Sequence, residues 1–205
     1  MPKRPLYAIV TTRSLREALP TAVESALRGG AGWIQYRDKS SQPERRQRDA
    51  STLKTLCHQY GAKLIINDDV DLALATGADG VHLGQGDGSP REARRRLGPE
   101  AILGVTCHAS MSLARQALED GASYLAFGRF FPSRTKPQAP PAPLELLSEA
   151  RSAFGDTPLV AIGGITLDNG GKALHAGADW LAVGENLFGA DDIESQARAY
   201  RQLTL

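Results

Sequence analysis

A recurring turn motif constrains the fold of this chain more than any other feature. Gly-Ala-Gly, Gly-Ala-Asp or Gly-Ala-Ser stands directly before four short apolar runs, at residues 30–32, 77–79, 121–123 and 177–179. Along the chain such apolar runs alternate with amphipathic stretches that fit helices, giving eight strands and eight helical segments. Small residues allow the tight turns that lead from a helix into the next strand. The pattern predicts an α/β fold, a single (β/α)8 TIM barrel that spans residues 1–205 as one domain.

The same periodicity predicts the element boundaries. Strands are expected at 6–10, 33–37, 64–66, 80–84, 101–106, 124–128, 159–163 and 180–184, and helices at 15–28, 43–60, 70–76, 91–97, 112–120, 144–154, 168–176 and 193–203. A doubly wound open sheet is the alternative, disfavoured because no GxGxxG follows the first strand and the repeat is unbroken. The proline-rich segment 137–143 cannot form regular structure. It is expected to be a loop over the barrel mouth, or a plain spacer.

Composition excludes several functional classes. The net charge is +1, with 24 basic against 23 acidic residues, so no overall field favours nucleic acid or an anionic membrane. Cys57 and Cys107 are too few for a disulfide framework and lack metal-binding spacing, which favours a reducing cytoplasm. The N-terminal apolar run fits a strand better than a signal peptide, and no run reaches the roughly 18 residues of a membrane span. The choice between monomer and homo-oligomer stays open.

Polar groups follow the predicted strands at their carboxyl ends, which meet at one face of a barrel. They are Gln35, Arg37 and Lys39; Asn67 and Asp68; Gln85 and Asp87; Thr106 and His108; Ser133, Thr135 and Lys136; Gly163 and Gly164; and Gly184 with Glu185. Period-two spacing places Gln35 and Arg37 on one face of a buried strand, where such groups are costly unless they are engaged.

Two carboxylates, Asp68 and Asp87, are hard oxygen ligands suited to Mg²⁺, which binds one or two carboxylates together with substrate phosphates. The cations Arg37 and Lys39 nearby would neutralise the remaining oxygens of a diphosphate. The glycines after the seventh and eighth strands stand where barrels bind a phosphate through backbone amides. The sequence therefore predicts a magnesium site and two separate anion sites.

Structural roles explain several other polar residues more simply. Asp69 and Asp71 are expected to cap and solvate a helix, and Asp79 to lie in a turn. His82 falls within a buried strand. His108 is placed to cap the helix after the fifth strand.

Six segments together resemble the thiamine phosphate synthase family, over nearly the whole chain. They are Gln35-x-Arg37-x-Lys39, Ile65-Ile66-Asn67-Asp68, Gly80-Val81-His82-Leu83-Gly84-Gln85-x-Asp87, Gly104-Val105-Thr106-x-His108, Thr135-Lys136 and Ala161-Ile162-Gly163-Gly164-Ile165. That family is a (β/α)8 enzyme that joins hydroxymethylpyrimidine diphosphate to thiazole phosphate, forming thiamine phosphate and pyrophosphate. The resemblance implies these two small molecules as substrates and Mg²⁺ as cofactor.

The resemblance also implies a role for each matching residue. Gln35, Tyr36, Arg37, Asp38, Lys39 and Asn67 would bind the pyrimidine diphosphate, with Thr106 and Lys136 completing the pocket; Asp68 and Asp87 would hold Mg²⁺; and Ser133, Arg134, Thr135, Gly163 and Gly164 would hold the thiazole phosphate. Arg37, Lys39 and Lys136 would carry catalysis with the metal.

Some residues depart from the family pattern. Thr106 replaces a usual serine, residues 128–133 replace a usual Gly-Pro-Val-Phe-Pro-Thr, and Gly184-Glu185 replaces a common Val-Ser. Glu185 brings a negative charge towards the predicted thiazole-phosphate site, which would oppose an anion there.

Two alternative functions remain on the sequence alone. A thiazole tautomerase of the same barrel family would use a histidine near the fifth strand, such as His108, as base. A phosphate-ligand sensor would keep the barrel without turnover. The pair Asp68 and Asp87 argues against both, because neither function needs a metal-diphosphate site.

Overall fold

The eight predicted strands pair in parallel and in chain order, and the last strand returns to the first to close the barrel. A computed structural model of the chain describes residues 5–12, 15, 18–132 and 141–203. The strands are β1 Leu6–Thr11, β2 Trp33–Arg37, β3 Lys63–Asn67, β4 Gly80–Leu83, β5 Ile102–His108, β6 Tyr124–Phe127, β7 Leu159–Ile162 and β8 Trp180–Val183. The closed parallel barrel confirms the predicted fold class.

Helices cover the outside of this barrel. They are α1 Leu19–Arg28, α2 Pro43–Gln59, α3 Val70–Thr76, α4 Pro90–Leu97, α5 Met111–Glu119, α6 Glu145–Phe154, α7 Leu167–His175, α8 Glu185–Phe188 and α9 Ile193–Gln202. The prediction missed α8, a four-residue helix that directly follows β8 and is too short to show a helical period. The predicted start of the first helix at Leu15 is also wrong. Pro20 lies in the first turn of α1, where its ring is compatible with a helix start.

Alternating side chains divide the core into two layers. Leu64 and Ile66 of β3 face outward and join the larger cluster under the helices, whereas Ile65 faces the barrel interior. The inner layer also contains Tyr7 and Tyr124. Trp33 and Trp180 pack against it, with their rings stacked at a centroid distance of 4.1 Å. The interior is thus a packed core of side chains rather than a pore.

Charged residues fasten the turns at the amino ends of the strands. Asp79 accepts a hydrogen bond from the Leu64 amide at 2.9 Å and forms ion pairs with Lys54 at 3.0 Å and Lys63 at 3.1 Å. Asp79 is therefore more than the turn residue that was predicted, because it joins α2, β3 and the turn before β4. Among the described helices, none combines the length and apolar composition needed to cross a lipid bilayer.

Candidate active site

A pocket of about 390 Å³ opens where β2, β3 and β4 end. Its lining residues are mostly charged: Asp38, Lys39, Ser40, Arg46, Asp68, Asp69, Val70, Asp71, Asp87 and Arg96. The structure thus brings together both predicted metal ligands and one of the predicted diphosphate-binding cations. Five carboxylates outnumber three cations in this lining. A bound cation would offset that excess before a diphosphate enters.

Asp68 is fixed at the end of β3 in an unusual backbone conformation. Its φ is +55°, a left-handed value that few residues other than glycine and asparagine adopt. The backbone amide of Asp68 donates to the His82 carbonyl at 2.8 Å, which ties the turn to the neighbouring β4. The Asp68 carboxylate accepts a hydrogen bond from Asn67 at 2.6 Å and contacts the Lys39 ammonium. This carboxylate therefore already serves as a cation partner at the pocket.

Asp87 has different surroundings. Its carboxylate accepts a hydrogen bond from the Gly84 amide at 2.8 Å, in the turn that follows β4. In the part of the chain that the structure describes, Asp87 forms no ion pair. Two carboxylates of one pocket, one of them without a cationic partner, form a donor set that suits Mg²⁺ bound together with phosphate oxygens. The described residues contain no cluster of three or more ligands that would hold a metal alone.

Arg37 ends β2 on the same side of the strand as Gln35. Across the described ranges, no ion pair involves Arg37, so its guanidinium is available for an anion at the barrel mouth. Lys39 follows two residues later and is about half exposed in contact with Asp68. Lys39 thus lines the pocket, and Arg37 ends the strand that leads to it.

Four hydrogen bonds cross the barrel interior and connect two of the predicted substrate residues. The Gln35 amide donates to the Tyr7 hydroxyl at 2.7 Å, and the Tyr7 and Tyr124 hydroxyls are 2.8 Å apart. The His82 ring lies with Nδ1 2.8 Å from the Tyr124 hydroxyl and with Nε2 2.8 Å from the Thr106 hydroxyl. We call these five residues the interior chain. Sequence analysis overlooked Tyr7 and Tyr124, although a tyrosine on the inward face of a buried strand needs a partner.

Tyr36 and Asp38 are held on the other side of β2. The Tyr36 side chain is buried under α2, where its hydroxyl donates to Asp38 and to Asp49, both at 3.2 Å. A substrate contact by that side chain does not fit this placement. The Asp38 carboxylate accepts hydrogen bonds from the Ser40 amide at 2.7 Å and from Arg45 at 2.6 Å. Burial opposes ionisation of Asp38, but these hydrogen bonds outweigh it and lower the pKa to about 2.

The predicted capping roles are corrected in part. Asp69 caps α3 by accepting from the Leu72 amide at 2.8 Å, and Asp71 lies exposed in the first turn of that helix, where it contacts Arg96; both agree with the prediction. His108 does not cap the next helix, because Ser110 holds that position and accepts from the Leu113 amide. Instead His108 ends β5 with a φ of +50°, at an irregularity in the pairing with β6.

Gly163 and Gly164 follow β7 with φ values of +99° and +66°, which glycine adopts without strain. Both pack against the segment that follows β6. A Cβ at Gly164 would lie 2.2 Å from the Pro132 carbonyl oxygen. Gly184 then precedes α8, whose first residue is Glu185. The predicted residues Ser133, Arg134, Thr135 and Lys136 lie outside the described residues, as does most of the proline-rich segment 137–143.

Comparison with known proteins agrees with this geometry. The profile of the family described as thiamine monophosphate synthase matches residues 6–187. A thiamine-phosphate synthase of Saccharophagus degradans is 54% identical over 98% of this chain and 94% of its own length. Another, from Alcanivorax borkumensis, is 52% identical over 97% of this chain and 92% of its own.

Solved structures give the same result. A thiamine phosphate pyrophosphorylase from Pyrococcus furiosus superposes with a TM-score of 0.88 at 33% identity, covering 98% of this chain and 96% of that one. An orotidine 5'-phosphate decarboxylase from Pyrococcus horikoshii shares the fold alone, with a TM-score of 0.67 at 15% identity, covering 95% of this chain and 98% of that one. Because the profile covers most of the sequence and both relatives align over nearly their whole length, this chain belongs to the thiamine monophosphate synthase family.

Proposed function

We propose that this chain is a Mg²⁺-dependent transferase that joins hydroxymethylpyrimidine diphosphate to thiazole phosphate, giving thiamine phosphate and pyrophosphate. The observation that carries the proposal is the placement of Asp68 and Asp87 in one pocket with Lys39. Family membership supplies the substrates. The excess of carboxylates in the lining gives a physical reason for a divalent cation.

The reaction needs stabilisation of a leaving group more than a base. Departure of the diphosphate leaves a cation delocalised into the electron-rich aminopyrimidine, and the thiazole nitrogen captures that cation. When bound by Asp68 and Asp87, Mg²⁺ would neutralise charge on the diphosphate. Arg37 and Lys39 would hold the remaining diphosphate oxygens through charge-assisted hydrogen bonds. Lys136 stays a predicted third cation for the same group.

Lys39 has to change partners in this scheme. Its ammonium now contacts the Asp68 carboxylate, and its side chain is about half exposed. With Asp68 holding a divalent cation, the Lys39 ammonium would lose its present partner and would be free to bind a phosphate oxygen. Metal and diphosphate should therefore bind with positive cooperativity.

Positioning of the pyrimidine falls to the residues at the barrel mouth. Gln35 and Thr106 are the two ends of the interior chain, so hydrogen bonds to buried partners fix their orientation. Their polar groups would therefore already be oriented for hydrogen bonds to the pyrimidine ring. The second phosphate site, after β7 and β8, stays a prediction that rests on Gly163, Gly164 and Gly184. Both cysteines are buried and free, which is compatible with the proposed cytoplasmic location.

The decisive experiment is a turnover assay with both substrates and MgCl₂, which follows thiamine phosphate and pyrophosphate. We expect equal amounts of the two products, and none after chelation of the metal by EDTA. A second incubation with thiazole phosphate alone follows its tautomerisation. Tautomerisation without any thiamine phosphate would overturn the proposal in favour of the tautomerase alternative.

A further inference from the structure

The interior chain connects five strands of the barrel through buried groups. Gln35, Tyr7, Tyr124 and His82 are each less than one-tenth exposed. Among the described residues, the Tyr7 hydroxyl forms hydrogen bonds only with the Gln35 side-chain amide and the Tyr124 hydroxyl. Because polar groups cut off from water need partners, the hydrogens in this chain have few permitted arrangements.

The donor at one end sets the direction of the whole chain. The Gln35 amide nitrogen donates to the Tyr7 oxygen, so the Tyr7 hydrogen is satisfied within the chain only by pointing at the Tyr124 oxygen. The Tyr124 hydrogen then points at Nδ1 of His82, which must be the unprotonated nitrogen. Nε2 of His82 consequently carries the hydrogen and donates it to the Thr106 hydroxyl oxygen.

We propose that Tyr7, Tyr124 and His82 are positioning residues. Tyr7 and Tyr124 hold His82 as the Nε2–H tautomer, and His82 in turn leaves the Thr106 hydroxyl as a hydrogen-bond donor towards the substrate. In this arrangement the Gln35 amide nitrogen donates to Tyr7, so the Gln35 amide oxygen is left as an acceptor for the substrate. The site would then select a heterocycle that offers an acceptor to Thr106 and a donor to Gln35. This inference rests on the proposed function for the identity of that ring as the aminopyrimidine.

The backbone is built to accommodate the chain. A Cβ at Gly104 would lie 1.9 Å from the Tyr124 ring, so only glycine leaves room for this ring beside β5. The Tyr7 and Tyr124 rings meet edge to face at a centroid distance of 5.9 Å. Burial raises the pKa of both phenols, which keeps each hydroxyl protonated and able to donate.

The tautomer of His82 is the first test, and it needs no substrate. Long-range ¹H–¹⁵N correlation spectra of the ¹⁵N-labelled protein separate Nε2–H from Nδ1–H imidazoles, and a His82→Asn variant identifies the His82 signals among four histidines. We expect Nε2–H in the wild-type protein and a mixture of tautomers in Tyr124→Phe. Tyr60→Phe is the matched control, because its hydroxyl contacts Glu24 on the outer surface. An Nδ1–H imidazole in the wild-type protein would overturn the proposal.

Steady-state kinetics provide the second test. Tyr124→Phe should raise KM for the pyrimidine diphosphate about 3- to 10-fold, the equivalent of one hydrogen bond, and leave KM for thiazole phosphate unchanged. Thr106→Val should raise KM by a similar factor, and Thr106→Ser, which restores a hydroxyl, should reverse most of that increase. A Tyr124→Phe protein that loses only thermal stability, with His82 still Nε2–H and KM unchanged, would contradict the positioning role. Absence of turnover in the wild-type protein would instead contradict the proposed function, since the tautomer is measured without substrate.

Discussion

Asp87 differs from Asp68 in what neutralises it. Asp68 contacts the Lys39 ammonium, whereas the Asp87 carboxylate has only the Gly84 amide as its partner among the described residues. A carboxylate in a pocket without a cationic partner attracts a cation from solution. The two residues should therefore both be required for metal-dependent turnover but respond differently to added metal.

Asp87→Asn and Asp68→Asn should each lower kcat/KM about 100-fold or more, because a bound metal contributes several kcal/mol and each 1.36 kcal/mol is tenfold in rate. Raising the Mg²⁺ concentration should rescue Asp68→Asn less than Asp87→Asn, since Asp68→Asn also leaves the Lys39 ammonium without its carboxylate, next to the position of the metal. Glu92→Gln, on the exposed face of α4, is the control. Wild-type kinetics in both aspartate variants would eliminate the magnesium site.

Arg37→Ala should weaken binding of the pyrimidine diphosphate by roughly 1.5 to 3 kcal/mol, the contribution of a charge-assisted hydrogen bond. Thiazole phosphate should bind almost as before, because its predicted site follows β7 and β8. Calorimetric titration of each ligand measures both effects, with Arg48→Ala on α2 as a control for loss of a surface charge. Equal weakening of both ligands would replace the two anion sites by one shared pocket.

The elements themselves were predicted well because eight repeats of one pattern leave few alternatives, and β2 and α3 have the predicted bounds. Short or irregular elements could not be predicted, because they contain too few residues to show a helical or strand periodicity. Helix α8 has only four residues, and β5 continues to His108 past an irregular pairing. Contacts across the barrel could not be predicted from local sequence patterns, since Tyr7 and Tyr124 lie 117 residues apart in sequence. The sequence could predict that Lys39, Asp68 and Asp87 lie close together, because parallel strands deliver their carboxyl ends to one face.

Gly80→Ala should destabilise the pairing of β4 with β5. A Cβ there would lie 1.9 Å from the Ile102 carbonyl oxygen, so the strands must separate, at a cost of about 1 to 3 kcal/mol in the free energy of unfolding. Gly171→Ala in α7 is the control, because its Cβ would meet nothing within 4 Å. Removal of a helical glycine should stabilise the protein by roughly 0.5 to 1 kcal/mol. Urea unfolding of both variants tests the contrast.

Asp79→Asn should destabilise the fold at neutral pH and have little effect in acid. Burial raises the pKa of Asp79, but hydrogen bonds from Leu64, Lys54, Lys63 and His58 outweigh it, so the pKa is lowered. A lowered pKa means that the stabilisation exists above the unfolded value of about 3.9 and is lost as the pH falls through the folded value. We expect a difference of about 1.5 to 3 kcal/mol between wild type and variant at pH 7. Urea titrations at pH 7 and pH 3 should show it shrink; a constant difference would contradict the ion-pair role.

At the scale of the whole molecule, the two faces of the barrel carry different kinds of charge. The carboxyl-end face holds the pocket with Asp87 and the end of β2 with Arg37, and neither residue forms an ion pair within the described ranges. On the opposite face Arg94 donates to the carbonyls of Gly98 at 2.7 Å, Ala101 at 2.8 Å and Gly121 at 2.9 Å. Stability and activity should therefore be separable by position.

Arg94→Ala should lower the free energy of unfolding by about 1 to 3 kcal/mol, because the substitution removes hydrogen bonds to the partly buried carbonyl groups of Gly98, Ala101 and Gly121. Its kcat and KM at a temperature where the protein is folded should remain those of the wild type. Arg37→Ala should show the opposite pattern, with altered KM and unchanged stability. Thermal unfolding and kinetics measured on the same samples compare the two, and a loss of activity in folded Arg94→Ala would show that the faces are coupled.

The pairing of β1 with β8 has a consequence for synthesis on the ribosome. The outer edge of β1 finds its partner only in residues 181–183, so backbone amides and carbonyls of this strand stay open while nearly all of the chain is being translated. An open strand edge next to apolar surface is a template for pairing with other nascent chains. The hazard ends when β8 leaves the exit tunnel, which makes slow translation of the last quarter of the chain more dangerous than slow translation of the first.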